Sequence, residues 1–380
     1  MEFDLEVLRT SIMNYGNILD RDSAQNYTLE TFEDILSGMR EPYDSSGRFG
    51  VAFRMNPQRG GIPRCYRVWK DTNPDAKRRS DLIDKGIRRS GLRYFSGFRV
   101  VESALRVTHD SKQYILPGIV MDWIDGDIFS TFLTEKWRGL SQSQRVEFIR
   151  AFYRMCMEMR DARVSHGDLS CKNIIVTPSR EIRLVDYDSV WVSEMGDRYP
   201  QTTAGIPSFQ HPLRFTTANL KSGPDDDNFS QLVIALSLWT AYYNTSVVDL
   251  YADEELLFKT TDFGGSTPSE RKNSLMRSDG WKKAMAVQTP HMKKLMDALL
   301  CVGQSSLSGI PSLMSLTTRD QIMASDFVNA VSYGAVKTEP PAPAKPKVYK
   351  ANFCVKCRTK FTLDTQNYCT ACGERRVTYS

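Results

Sequence analysis

Three polar side chains at fixed spacing define the chemistry this chain could do. Asp168 lies in HGDLSCKN (His166–Asn173), Asn173 follows five residues later, and Asp186 stands inside LVDYDS (Leu184–Ser189). Transfer of a γ-phosphoryl group from ATP needs a carboxylate that accepts or orients a hydroxyl proton, and oxygen ligands that hold Mg²⁺ against the triphosphate. Asp168 suits the first task; Asn173 and Asp186 suit the second. The apolar runs Ile174–Val176 and Ile182–Val185 flank a polar turn at Thr177–Glu181. That pattern predicts a β-hairpin, which returns Asp186 to the side of Asn173.

Other elements must hold this hairpin in place. Between Gln142 and Val164 apolar residues recur at Ile149, Phe152, Cys156 and Met159, and Ser141 with Gln144 offers a capping box, so a helix with one buried face feeds into the Asp168 loop. A second run of helix length, Phe229–Tyr243, follows DDDN and reads as a core helix. Residues 1–44 suggest helical pieces at Leu5–Asn14 and Leu29–Met39, and from Ser45 the pattern becomes strand-rich. In SSGRFGVAF (Ser45–Phe53) Gly47 and Gly50 would let the backbone approach phosphates and donate N–H groups to them. RCYRVWK (Arg64–Lys70) reads as a strand carrying cations, and no internal repeat is visible.

HGDLSCKN followed by LVDYDS resembles the catalytic loop and metal-binding segment of the protein kinase superfamily, and the resemblance covers roughly residues 45 to 330. It implies an α+β, bilobal kinase-like fold, with a β-rich N-lobe over 45–120 and a mainly helical C-lobe over 121–335, preceded by the helical extension read from the residues over 1–44. It also implies ATP and Mg²⁺ as cofactors, Asp168 as catalytic base, and Asn173 and Asp186 as metal ligands. Gly47 and Gly50 match the second and third positions of the glycine-rich loop, with Ser45 at the first. Counting 17 residues on from Gly50, the family's spacing puts Arg67 where a phosphate-pairing lysine is usual, while Lys70 should point elsewhere or lie past the strand end. Arginine keeps the charge, but its rigid fork is not interchangeable with an ammonium. Asp81 and Asp84 are candidates for its acidic helix partner. VMDWIDGD (Val120–Asp127) looks like the hinge, with Met121 gating the adenine pocket and the Asp122 carbonyl and Ile124 amide facing the base; Asp227 matches the aspartate that starts the central C-lobe helix.

On the substrate side Gly167 replaces the arginine that commonly precedes the catalytic aspartate, so switching by phosphorylation between Asp188 and Gly205 is not expected. Ser170 replaces a common lysine, and Lys172 could supply a cation instead. AGIPSFQHP (Ala204–Pro212) resembles the end of an activation segment. With DDDNFSQLVIALSLW it is particularly similar to bacterial kinase-like proteins that carry C-terminal accessory modules, which implies a Ser/Thr protein substrate and a stress or signalling role. Two alternatives stay open: a pseudokinase scaffold, and a small-molecule kinase, since HGD also occurs in such enzymes.

The tail is a separate matter. GAVKTEPPAPAKPK (Gly334–Lys347) is a Pro-rich stretch that cannot pack a core, which places a linker over 336–350. Beyond it, over 351–380, Cys354, Cys357, Cys369 and Cys372 form CVKC and CTAC with eleven residues between. Paired CxxC turns suit a tetrahedral Cys₄ zinc ribbon that depends on the metal for folding. Residues 341–380 hold a net charge of +6 against +5 for the whole chain, so residues 1–340 come to about −1 and the basic character belongs to the tail. This module is expected to dock a protein, and nucleic acid is the second option.

With 41% hydrophobic and 25% charged residues, the 380-residue chain reads as globular. Its longest apolar run, about Leu232–Tyr243, is too short to cross a bilayer, and the acidic N-terminus lacks the features of a secretory signal. A cytoplasmic protein with reduced thiols and no membrane partner is the expectation.

Overall fold

The computed structural model describes residues 2–35, 38–47, 49–72, 74–197, 199–287, 289–333, 349–350, 370–372, 375 and 378–379. The chain is α+β and divides into two units, Met1–Gly334 and Ala335–Ser380.

The first half of the larger unit is built on an antiparallel sheet. Helix α1 (Leu5–Met13) precedes strands β1 (Tyr27–Leu29), β2 (Asp44–Ser46), β3 (Gly50–Pro57) and β4 (Arg64–Trp69); helix α2 (Pro74–Ser90) then crosses to β5 (Phe98–His109) and β6 (Lys112–Asp122). The strand order is β1-β3-β4-β6-β5, with β2 also paired to β3. Arg67 on β4 sits opposite Ala52 on β3 and Ile119 on β6. Alternation along β4 separates two faces. Tyr66 and Val68 are fully buried on the outer face with Val51, Phe53, Leu8 and Ile12. Cys65, Arg67 and Trp69 point the other way, toward α2 and the second half of the unit.

Helix α1 begins as predicted, capped by Asp4 Oδ1, which accepts the Val7 N–H at 2.9 Å. The second expected helix, Leu29–Met39, does not form. Tyr27–Leu29 adds to the sheet edge and Thr31–Glu33 pairs with Arg40–Pro42 as a hairpin. Leu29, Phe32, Ile35 and Met39 mimic a helical stripe, but only Leu29 is buried, and Ile35 is 97% exposed. Residues 1–44 thus combine the helices Leu5–Met13 and Arg21–Asn26 with an edge strand and a hairpin, and Leu5–Met13 covers the outer face of the sheet.

The second half is mainly helical. Helix α3 (Gln142–Asp161) carries the expected capping box between Ser141 and Gln144 and buries Ile149, Phe152, Cys156 and Met159. The hairpin forms as β7 (Ile174–Val176) and β8 (Ile182–Leu184), in register Ile174 to Leu184. Helix α4 (Asn228–Tyr243) is buried over nearly its whole circumference. Its Trp239 indole N–H donates to Tyr153 Oη at 2.9 Å, and that hydroxyl contacts His291 Nε2 at 2.7 Å, locking α3, α4 and the helix Pro290–Leu299 together.

In the smaller unit Tyr349–Lys350 pairs with Thr378–Tyr379. These two residues belong to a strand rather than to the expected linker, which otherwise lies outside the described residues. Cys354, Cys357 and Cys369 also lie outside them; Cys372 falls in an exposed turn. No described helix is long and apolar enough to cross a membrane.

Candidate active site

The loop from His166 to Asn173 is anchored from below by the start of α4. Asp227, 2% exposed, accepts the His166 N–H at 2.6 Å through Oδ2 and the Gly167 N–H at 2.9 Å through Oδ1. Burial pushes the Asp227 carboxyl up, and the two amides and His166 oppose that. The His166 imidazole, fully buried, donates from Nε2 to the Val185 carbonyl at 2.8 Å, tying the loop to the end of the hairpin. Gly167 has φ +75°, and a Cβ there would stand 2.3 Å from the Ser189 carbonyl oxygen. No arginine fits this position. Arg214 closes the loop from outside by donating to the Gly167 carbonyl at 2.8 Å and to Gln210 Oε1 at 2.6 Å.

The three chemistry-bearing residues meet as their spacing predicts. Asn173 Nδ2 donates to the Asp168 carbonyl at 2.7 Å, and the Val185 N–H donates to the Asn173 carbonyl at 3.0 Å, so the residue before Asp186 is bonded directly to Asn173. Asp186 adopts a left-handed backbone, φ 62° and ψ 76°, where the chain turns out of the hairpin. Its side chain stays 43% exposed. Asp168 Oδ1 accepts the Ile206 N–H at 3.3 Å. Burial pushes the Asp168 carboxyl up to about 6; nearby Asp186 adds to this, while His166 and the Ile206 amide oppose it. Asp186, part-sheltered in the cleft, is also raised, by that partial desolvation and by neighbouring Asp188, against the pull of Arg67.

Among the described residues no three His, Cys, Asp or Glu side chains form a metal cage. Mg²⁺ bound beside a nucleotide does not require one, since it takes one or two protein oxygens and completes its shell with phosphates and water. The amide oxygen of Asn173 and the exposed carboxylate of Asp186 fit that demand. When bound, such an ion neutralises charge on the phosphates.

Above this triad lies the cleft face of the sheet. Arg67, 6% exposed, donates from Nη1 to Asp188 Oδ1 at 2.7 Å and from Nη2 to Asp188 Oδ2, and its Nη2 lies 3.2 Å from Asp186 Oδ1. Burial opposes the guanidinium charge, and the two aspartates more than offset that, so its pKa is raised. Gly47 and Gly50 close a tight turn, Gly47 N–H donating to the Gly50 carbonyl at 2.9 Å. A Cβ at Gly50 would lie 2.7 Å from the Val68 carbonyl oxygen and 3.2 Å from Arg67 Nε, so only glycine lets β3 sit this close to the arginine. Lys70 lies past the strand end, as expected, and its ammonium donates to the Gly47 carbonyl at 2.8 Å.

Neither helix carboxylate reaches Arg67. Asp81 pairs with Lys77 at 3.5 Å, and Asp84 pairs with Arg88 at 2.8 Å. Helix α2 instead presents Arg79, 7% exposed, which donates to the Pro200 carbonyl at 3.1 Å and the Val190 carbonyl at 3.3 Å. Arg79 also lines a cavity of ≈ 670 Å³ whose walls include Trp69, Asp188, Tyr199 and Thr202.

At the other end of the cleft Met121 lies opposite Cys65 on β4 and Asp122 opposite Arg64. The Trp123 N–H donates to the Pro63 carbonyl at 2.8 Å, whereas the Ile124 N–H has no partner among the described residues. Ile175 on β7, partly exposed between buried Ile174 and Val176, faces away from the core below. Lys172 pairs with the exposed Asp253 at 2.5 Å. Asp188, Arg79, Arg214 and Gln210 belong to the site although their types and spacing did not single them out. Compared with protein-family models and with curated proteins, the chain matches none.

Proposed function

We propose that this protein transfers the γ-phosphoryl group of ATP to a Ser or Thr hydroxyl of a protein substrate, and that its larger unit is a bilobal, protein-kinase-like catalytic domain. The observation that carries the reading is the convergence of Asp168, Asn173 and Asp186 beneath a strand that carries Arg67. Asp168 orients the acceptor hydroxyl and takes its proton, since a carboxyl raised to about 6 is deprotonated at neutral pH yet more basic than a free aspartate. Arg67 supplies fixed positive charge for the phosphates, which is where most of the barrier reduction in such reactions arises. Gly47 and Gly50 permit close backbone approach, and the unpartnered Ile124 N–H beside Met121 and Asp122 offers a donor to an adenine ring.

A single-turnover assay with labelled ATP, with and without Mg²⁺, tests this. Label should move to the protein itself or to a generic protein acceptor only with Mg²⁺; transfer to small molecules alone would instead assign a small-molecule kinase. A second reading, a nucleotide-binding scaffold without catalysis, draws on the contact between Arg67 and Asp186, which engages one expected metal ligand with a cation. In that case nucleotide would raise the melting temperature and no label would move.

For the smaller unit we propose a zinc ribbon formed by Cys354, Cys357, Cys369 and Cys372 that docks a protein partner. Paired CxxC spacing in a basic, Pro-linked segment supports it. The basic charge leaves nucleic acid as the competing partner, and a gel-shift titration against salt separates the two.

A further inference from the structure

We infer that Asp188 is the positioning residue for Arg67, taking the part a helix carboxylate was expected to play, so that the phosphate-facing cation is held by the same turn that carries Asp186. This rests on the phosphoryl-transfer reading. Three observations carry it. First, the contact is a two-point fork between the guanidinium and the Asp188 carboxylate, with Arg67 6% exposed and Asp188 largely sheltered. A bidentate pair fixes the guanidinium plane as well as its position, which a single ammonium contact cannot do. Second, the two acids of α2 expected to pair with Arg67 are engaged elsewhere, Asp81 with Lys77 and Asp84 with Arg88 and the Phe98 N–H. Third, the turn itself is held. Tyr187–Ser189 forms one 3₁₀ turn with Asp186 at its N-cap, Tyr187 Oη accepts the Ser96 N–H at 2.8 Å, and the Thr202 hydroxyl donates to the Asp188 carbonyl at 3.1 Å.

The arrangement has a mechanical consequence. Where the cation's partner sits on a helix, moving that helix breaks the pair. Here the acids on Arg67, among the described contacts, are Asp188 and Asp186, and α2 contributes Arg79, which binds the Val190 and Pro200 carbonyls of the following segment. Arg67 and Asp186 therefore stay in register through Asp188 irrespective of α2, and the position of the 186–189 turn sets the geometry of both the cation and the metal ligand.

The experiment uses the full chain in two readouts. The first is independent of activity: the Arg67 guanidinium protons of nucleotide-free protein, assigned by their loss in Arg67→Lys, are followed by NMR. They should be slowly exchanging in wild type and in Asp81→Asn and Asp84→Asn, and fast or absent in Asp188→Asn. The second is steady-state transfer. Asp188→Asn should lower kcat by about 30-fold or more while changing KM for ATP by less than about 3-fold, because lost positioning is felt in the transition state. Asp188→Glu should recover part of kcat. Protection of Arg67 that survives in Asp188→Asn, or a kcat within about twofold of wild type, overturns the inference. A fall of the predicted size in Asp81→Asn or Asp84→Asn also overturns it. A wild type that binds nucleotide and transfers nothing defeats the phosphoryl-transfer reading instead, and this inference falls with it.

Discussion

Gly167→Ala should destabilise the larger unit sharply for the addition of one methyl group. The residue has φ +75°, and the new Cβ would meet the Ser189 carbonyl oxygen at 2.3 Å, its carbon at 3.0 Å and its Cβ at 3.2 Å. Left-handed backbone costs a residue with a Cβ about 1 kcal/mol, and forcing a methyl into a filled space costs about 1–3 kcal/mol, so the total is about 2–4 kcal/mol. Neither side of the clash can give way cheaply. Gly167 N–H is bonded to Asp227 and its carbonyl to Arg214, while Ser189 is flanked by the pairing of Ser165 with Trp191. For a unit of this size, Met1–Gly334, the loss corresponds to a fall in Tm of roughly 3–6 °C. Gly139→Ala is the control, since a Cβ there meets nothing within 4 Å and the residue is exposed. Thermal unfolding followed by circular dichroism reads both. A Gly167→Ala protein melting within about 1 °C of wild type would refute the account of why glycine precedes Asp168.

Other expectations follow from the same site. Asp168 holds its proton in the folded protein to about pH 6, against a free-aspartate value of 3.8. The stability linked to that proton is therefore full below 3.8 and lost as pH rises through 6. Asp168→Asn should accordingly be more stable than wild type by about 1–3 kcal/mol at pH 8, with the gap closing by pH 4; equal urea midpoints at both pH values would contradict this. Transfer activity, which needs the carboxylate, should rise with pH and level off above about 7. Arg79→Ala removes the donors to Val190 and Pro200, so limited proteolysis with mass spectrometry should find faster cleavage within residues 196–205, and an unchanged cleavage rate would remove Arg79 from the account. A strong chelator should release about one Zn²⁺ per chain and leave the melting of the larger unit unchanged; no released metal would defeat the proposed ribbon.

The hairpin, the two helices around the site and the meeting of Asn173 with Asp186 were legible because each is written locally: alternation, a capping box, a turn. Long-range pairings were not. Arg67 and Asp188 lie 121 residues apart, as do Arg79 and Pro200, and no periodicity in either segment points to the other. The expectation that an acid on α2 would face Arg67 failed for the same reason: Asp81 and Asp84 are spent on neighbouring cations. In Leu29–Met39 a helix-like spacing of apolar residues was outweighed by edge pairing with β3, which buries Leu29 and leaves Ile35 in solvent.

The most direct test of the central claim compares wild type with Asp186→Asn and Arg67→Ala in transfer of label from γ-labelled ATP with Mg²⁺. The account predicts label on protein with wild type and a loss of at least about 100-fold in each variant, with the fold intact by circular dichroism. Transfer by the variants at the wild-type rate, or none by a wild type that binds ATP, would contradict it.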